Sequence, residues 1–197
     1  MSTQSELNDP IAMEKRIARF KTLKPTKTKY EDPSVGIPMN AYEQLAAHSI
    51  FLIMAPQGVA RGGTSRPAVE GQPGVEISIV ECPPGQGPAL HRHERTYETF
   101  MALDGKYEIT WGDDGEHSTI LEPFDLIAVP AGIYRAFRNV DDHTAKLLVV
   151  IQGGKEVMND LIFQHKVADK IEQGWGKDVL DRFSKIGIQF ASPPDRE

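Results

Sequence analysis

GQGPALHRHERTYETFMALDG, residues 85–105, is the stretch that decides how this chain is read. His91 and His93 stand two apart, and in an extended strand such residues point to one face, so both imidazoles are presented together. Glu98 lies on the next extended run, on the face shared with Phe100 and Ala102. Two neutral imidazoles and one carboxylate form the donor set that suits non-haem Fe(II) and also accepts Mn, Ni, Co or Zn. Without a metal, the same three residues would make a hydrogen-bonded polar cluster inside a barrel.

Outward from this stretch, residues 45–152 alternate short β-branched and aromatic runs with Gly-, Pro- and Asp-rich turns, the pattern of an antiparallel barrel or sandwich. The runs are 49–54, 75–81, 97–103, 106–111, 118–121, 126–129, 134–138 and 145–151, and eight strands suffice to close a barrel. Asp104-Gly105 is a type I′ hairpin signal, and Gly112-Asp113-Asp114-Gly115 closes the next pair. Residues 57–74 carry a long loop by composition.

Residues 1–44 form an N-terminal helix and irregular arm. Asn8 or Asp9 caps a short helix starting at Pro10, with Ile11, Ile17 and Phe20 on its apolar stripe, and Pro25, Pro33, Gly36 and Pro38 keep the rest of the arm irregular. Residues 153–197 are expected to be a helical tail, from the spacing of Val157, Leu161, Val167, Ile171, Val179, Leu180, Phe183 and Ile186, with a frayed end.

The spacing G-x5-H-x-H-x4-E-x6-G in residues 85–105 resembles the first motif of the cupin family at all five fixed positions. At one preset spacing, chance expectation is on the order of 1 in 10,000, so the match is specific. The family's second motif, G-x5-P-x-G-x2-H-x3-N, is similar to residues 124–139, FDLIAVPAGIYRAFRN. Pro130, Gly132 and Asn139 fall in place, while Phe124 stands for the leading glycine and Arg135 for the histidine. The resemblance covers roughly residues 75–152. It implies an all-β, double-stranded β-helix (jelly-roll) barrel, here with an N-terminal arm and C-terminal helices around it.

Arg135 is the departure that matters. The family histidine supplies a further metal ligand, whereas a guanidinium has donors only and does not deprotonate. The site is therefore limited to three protein ligands, His91, His93 and Glu98. A divalent cation about 5 Å from a guanidinium is repelled by several kcal/mol even at an effective dielectric near 20, so the two coexist only with anions between them. On that reading Arg135 holds an anionic ligand, with Tyr107, Phe100 and Phe137 as candidate pocket walls. On the other, Arg135 pairs with Glu98 and the metal is absent. His117 or His143 filling the vacancy is a third option, although both sit in acidic turns where solvent-facing histidines are expected.

Bulk properties narrow the partners. A net charge of -6 and a pI near 5.5 leave no basic field for a phosphate backbone, and the lysines at 21, 24, 27 and 29 read as a solvated segment. The lone cysteine, Cys82, ends an apolar run and is expected to be a buried, inert thiol. No run has the length of a signal peptide or membrane span, so the expected location is cytoplasmic, with no membrane partner. A homodimer is expected from the arm and helices as additional apolar surface. Three functions stay open: a metal-dependent enzyme, dioxygenase or lyase-like, on a small anionic substrate; a metal-free ligand-binding barrel; or a sugar isomerase or epimerase using His91 with Tyr107 or Tyr134.

Overall fold

The computed structural model describes residues 9–27, 33–58, 66–153 and 160–193. The strands are β1 (Ser49–Pro56), β2 (Val69–Gly71), β3 (Val75–Cys82), β4 (His91–His93), β5 (Tyr97–Ala102), β6 (Tyr107–Trp111), β7 (His117–Leu121), β8 (Leu126–Val129), β9 (Arg135–Asn139), β10 (Ala145–Gln152), β11 (Leu161–Phe163) and β12 (Gln189–Phe190). Strict alternation of exposure along β3 and β10 shows why these segments pair: one face enters the core, the other lies outside. Among the described residues they make two six-stranded sheets, ordered β2-β1-β3-β10-β5-β8 and β12-β11-β4-β9-β6-β7. This interleaving of distant strands is the jelly roll.

Between the sheets lies the main core, including Val80, Phe100, Tyr107, Ile109, Phe137, Leu147 and Val149. The register then sets the polar residues. Glu98 on β5 stands opposite Ile151 of β10 and Val129 of β8, and in the other sheet His91 on β4 stands opposite Arg135 of β9. Gly87 lets the chain enter β4 tightly against β9, because a Cβ there would overlap the carbonyl oxygen of Phe137.

A second core sits outside the barrel. It gathers Ala41, Tyr42 and Leu45 from helix α2 (Met39–Leu45), Phe163 from β11, Ile171 from α3 (His165–Trp175) and Phe183 from α4 (Lys177–Lys185).

Several expectations change. Asp104-Gly105 does not close a hairpin: β5 pairs with β10 and β8, β6 with β7 and β9, so the turn carries the chain from one sheet to the other. The Gly112–Gly115 turn does join paired strands, with Trp111 opposite His117. Residues 39–45, expected to be irregular, are helical because Ala41, Tyr42 and Leu45 fall on one face against the second core. Val69–Gly71, assigned to loop, pairs parallel with β1. Leu161 is in a strand rather than a helix, since pairing with β4 overrides a periodicity too short to discriminate.

At the N-terminus Asp9 Oδ1 accepts from Ile11 N at 3.1 Å and caps α1 (Pro10–Glu14), while Asn8 lies outside the described residues. That helix is one turn long. Ile11 and Ile17 are exposed, and only Phe20 packs, with its ring 4.8 Å from that of Phe51. Lys29, Gly62, Gly63, Val157 and the tail from residue 194 also lie outside the described residues. Among those described, no helix is long and apolar enough to cross a membrane.

Candidate metal centre

His91 and His93 both enter the barrel from β4, with 4% and 2% of their surface exposed, and Glu98 enters from β5 with 5%. Their ligand-capable atoms all lie within 4.8 Å of one another, so the three candidate ligands come together. Each histidine is orientated by the acceptor on its far nitrogen. His91 Nδ1 lies 2.8 Å from the carbonyl oxygen of Ala89, and His93 Nδ1 lies 2.8 Å from Asp160 Oδ1. A carbonyl and an ionised carboxylate can only accept, so both Nδ1 atoms carry a proton. Both Nε2 atoms face Glu98: Nε2 to Oε2 is 3.5 Å from His91 and 3.6 Å from His93. His93 Nε2 is buried without a hydrogen-bond partner among the described residues.

Burial disfavours protonation of His91 and pulls its pKa below the usual histidine value, with Glu98 only partly opposing this. For Glu98, burial acts to raise the pKa, but His93, His91 and Arg135 outweigh it and hold the carboxyl well below its ordinary range. The centre therefore presents a neutral imidazole at His91 and an ionised carboxylate at Glu98, two groups in the protonation state that metal binding requires.

Arg135 is fully buried and reaches the same carboxylate. Its Nε donates to Glu98 Oε2 at 2.9 Å and its Nη1 to the carbonyl oxygen of Ile133 at 2.9 Å. Its Nη2 is buried with no acceptor among the described residues. Glu98 thus serves as the anion between guanidinium and metal position. A carboxylate oxygen has two lone pairs, so accepting from Arg135 leaves Oε2 one for a cation.

The remaining candidates separate. Phe100 and Phe137 pack edge to face at 5.3 Å, each two residues along the strand from Glu98 and Arg135 respectively, in the main core. Tyr107 is also in that core, and its hydroxyl donates to the carbonyl oxygen of Ala145 at 2.6 Å. Tyr134 stacks under the guanidinium of Arg92 at 5.1 Å. The side chains of His117 and His143 are more than half exposed and lie beside Glu116, and beside Asp141 and Asp142.

Asp160 is the residue sequence reasoning missed. It is 67 positions from His93 and belongs to no motif, so no spacing pointed to it. Its Oδ2 accepts from the backbone N–H groups of Arg95 and Thr96, at 3.0 and 2.9 Å, and from Thr96 Oγ1 at 2.8 Å. Burial works against its ionisation, but the bonds from His93, Arg95 and Thr96 prevail and hold its pKa well below the usual aspartate value.

Residues 78–151 match the family described as "Cupin domain". This segment is a cupin domain. Outside it lie the arm, β1, β2, β11, β12 and the helices. No curated protein matches the chain. Among solved structures, this chain resembles the Schizosaccharomyces pombe Cnp3 cupin domain, at 17% identity and TM-score 0.40, covering 53% of this chain and 64% of that one. It also resembles a protein from Thermus thermophilus, at 28% identity and TM-score 0.39, covering 43% of this chain and 78% of that one. A third likeness is a sugar phosphate isomerase of the cupin superfamily from Silicibacter pomeroyi, at 27% identity and TM-score 0.37, covering 42% of this chain and 52% of that one.

Proposed function

We propose that this cupin is a metal-dependent enzyme of the dioxygenase or lyase type, acting on a small anionic substrate. One observation carries the reading. Two imidazole Nε2 atoms and an ionised carboxylate oxygen converge at 3.5 and 3.6 Å, with both Nδ1 atoms committed elsewhere. That arrangement is the two-imidazole, one-carboxylate donor set that suits a divalent cation. His91, His93 and Glu98 would hold it, and a bound divalent ion of the Fe, Mn, Ni or Zn kind supplies Lewis acidity toward a substrate oxygen.

Arg135 supports the anionic substrate class. Its Nε steadies Glu98, its Nη1 is tied to Ile133, and its Nη2 is a buried donor without a partner among the described residues, which supports an anionic ligand there. Guanidinium and divalent ion against the one carboxylate of Glu98 leave an excess of positive charge, which selects a carboxylate or enolate over a neutral ligand. A donor already aimed at that position also stabilises negative charge as it develops, at no cost in reorganisation. Behind it, Phe100 and Phe137 close the barrel with an apolar layer that keeps water from the polar groups.

One observation favours a second reading, a metal-free barrel that captures its anion without turnover. The ion pair between Arg135 Nε and Glu98 Oε2 compensates the buried carboxylate with no metal present. Elemental analysis of protein purified without a metal-affinity step separates the two, alongside an Arg135→His variant. Near-stoichiometric Fe, Mn, Ni or Zn in the parent is the expected result. No metal in the parent, with metal gained on introducing histidine, would sink the enzyme in favour of the capture protein.

A further inference from the structure

The cupin match ends at residue 151, yet the His93 side chain is fixed by a residue beyond it. Asp160 is 3% exposed, and its two oxygens divide their work. Oδ2 takes three donors, the N–H groups of Arg95 and Thr96 and the hydroxyl of Thr96. Oδ1 is left for one, His93 Nδ1 at 2.8 Å. The carboxylate plane is thus locked by the β4–β5 turn, and the lock aims a single acceptor at the imidazole. Thr96 Oγ1, 3.1 Å from the same Nδ1, gives its own proton to Asp160 and so adds no donor there.

The segment that begins at Asp160 continues the support. In the β11–β4 ladder Leu161 stands opposite His93 and Phe163 opposite His91, with the Phe163 ring 5.6 Å from the His91 ring. Phe163 is at the same time a member of the second core with Ile171 and Phe183. The buttress of the histidine pair is therefore anchored in the C-terminal helices rather than in the barrel.

We infer that Asp160 is a positioning residue, which anchors the His93 ring through its protonated Nδ1 so that Nε2 points at Glu98. The inference rests on the metal-centre reading for its purpose, but not for its test. Replacement by asparagine has a sharp consequence. The three donors on the Oδ2 side require an oxygen, so the amide nitrogen must turn toward His93 Nδ1. Nδ1 then becomes an acceptor and the proton moves to Nε2, the atom that faces Glu98. An interaction of this outer-sphere kind is worth about ten- to a hundredfold in metal affinity.

The experiment is long-range 1H–15N NMR of the histidine rings in the metal-free full chain, with Co2+ titration of the same samples. The parent should show a proton on His93 Nδ1, and Asp160→Asn should show the Nε2–H form with Co2+ affinity at least about tenfold weaker. An Nε2–H form of His93 in the parent overturns the inference, and this arm needs no variant to fold. A folded Asp160→Asn protein with unchanged tautomer and affinity overturns it equally. Should the parent bind no Co2+ while the tautomer inverts as described, the positioning role stands and the metal reading fails.

Discussion

At the scale of single residues, the barrel interior holds its polar groups in prescribed protonation states, and Cys82 shows this away from the metal centre. The thiol is fully buried, and burial pushes its pKa from the ordinary 9.0 up to about 11, against smaller opposing hydrogen bonds from His48 and Tyr107. At pH 8 roughly one molecule in a thousand then carries the thiolate, the form that reacts. Native protein should resist iodoacetamide at pH 8, and the same protein in urea should be alkylated within minutes; fast modification of the native form would contradict the burial. The pH dependence has a definite sign. Between pH 9.0 and about 11 the unfolded thiol has lost its proton and the folded one has kept it, so stability is full below 9.0 and falls as pH rises through that window. The loss amounts to about 2–3 kcal/mol, and Cys82→Ala should flatten that part of the profile. At the metal centre, Glu98 and Arg135 form a pair that the motif match alone would have hidden, because the family pattern carries histidine where this chain carries arginine.

At the scale of elements, the turns show what sequence signals can and cannot say. Phe124 stands where the family motif has glycine, and its backbone still adopts the conformation that glycine favours, with φ of 75° and three-quarters of the side chain exposed. Its N–H donates to the carbonyl oxygen of Ala102 at 2.7 Å, which holds the turn in that conformation. A left-handed non-glycine residue costs roughly 1–2 kcal/mol, and Phe124 recovers little of this through burial. Phe124→Gly should therefore stabilise the protein by about 1 kcal/mol, visible as a rise of a few degrees in Tm; a fall would mean that the exposed ring contributes more than the strain. The Asp104-Gly105 turn makes the complementary point. Its residues do form a turn, with φ of 65° at Gly105, but the strands on either side enter different sheets. Local chemistry specifies the reversal, and long-range pairing specifies its partners.

At the scale of the whole molecule, two cores share one ladder. The main core fills the jelly roll, the second lies under α2, α3 and α4, and β11 joins them by pairing with β4. Each of the two tryptophans reports on one part: Trp111 is on β6 in the barrel, and Trp175 packs against the second core from α3. Because the Asp160–His93 bond and the β4–β11 pairing cross between them, urea unfolding followed in Trp111→Phe and Trp175→Phe variants should give coincident midpoints. Phe183→Ala, which empties part of the second core at a cost of about 3–5 kcal/mol, should move both midpoints together. Loss of the Trp175 signal at lower urea, with Trp111 unchanged, would show that the C-terminal helices unfold by themselves.

The sequence by itself determined whatever depends on neighbours along the chain. The two-residue periodicity of the strands, the common face of His91 and His93, and the placement of Glu98 with Phe100 and Ala102 all come from backbone geometry within a few residues. So does the substitution of a guanidinium for a ligand at position 135. Only the tertiary structure decided which acceptors the histidines meet, because Asp160 reaches His93 across 67 residues through a strand pairing that no local pattern encodes. The same holds for Arg135, whose ion pair with Glu98 spans 37 residues and two sheets. A side chain's chemical type is written in the sequence, but its protonation state and the direction of its lone pairs are set by groups that folding brings to it.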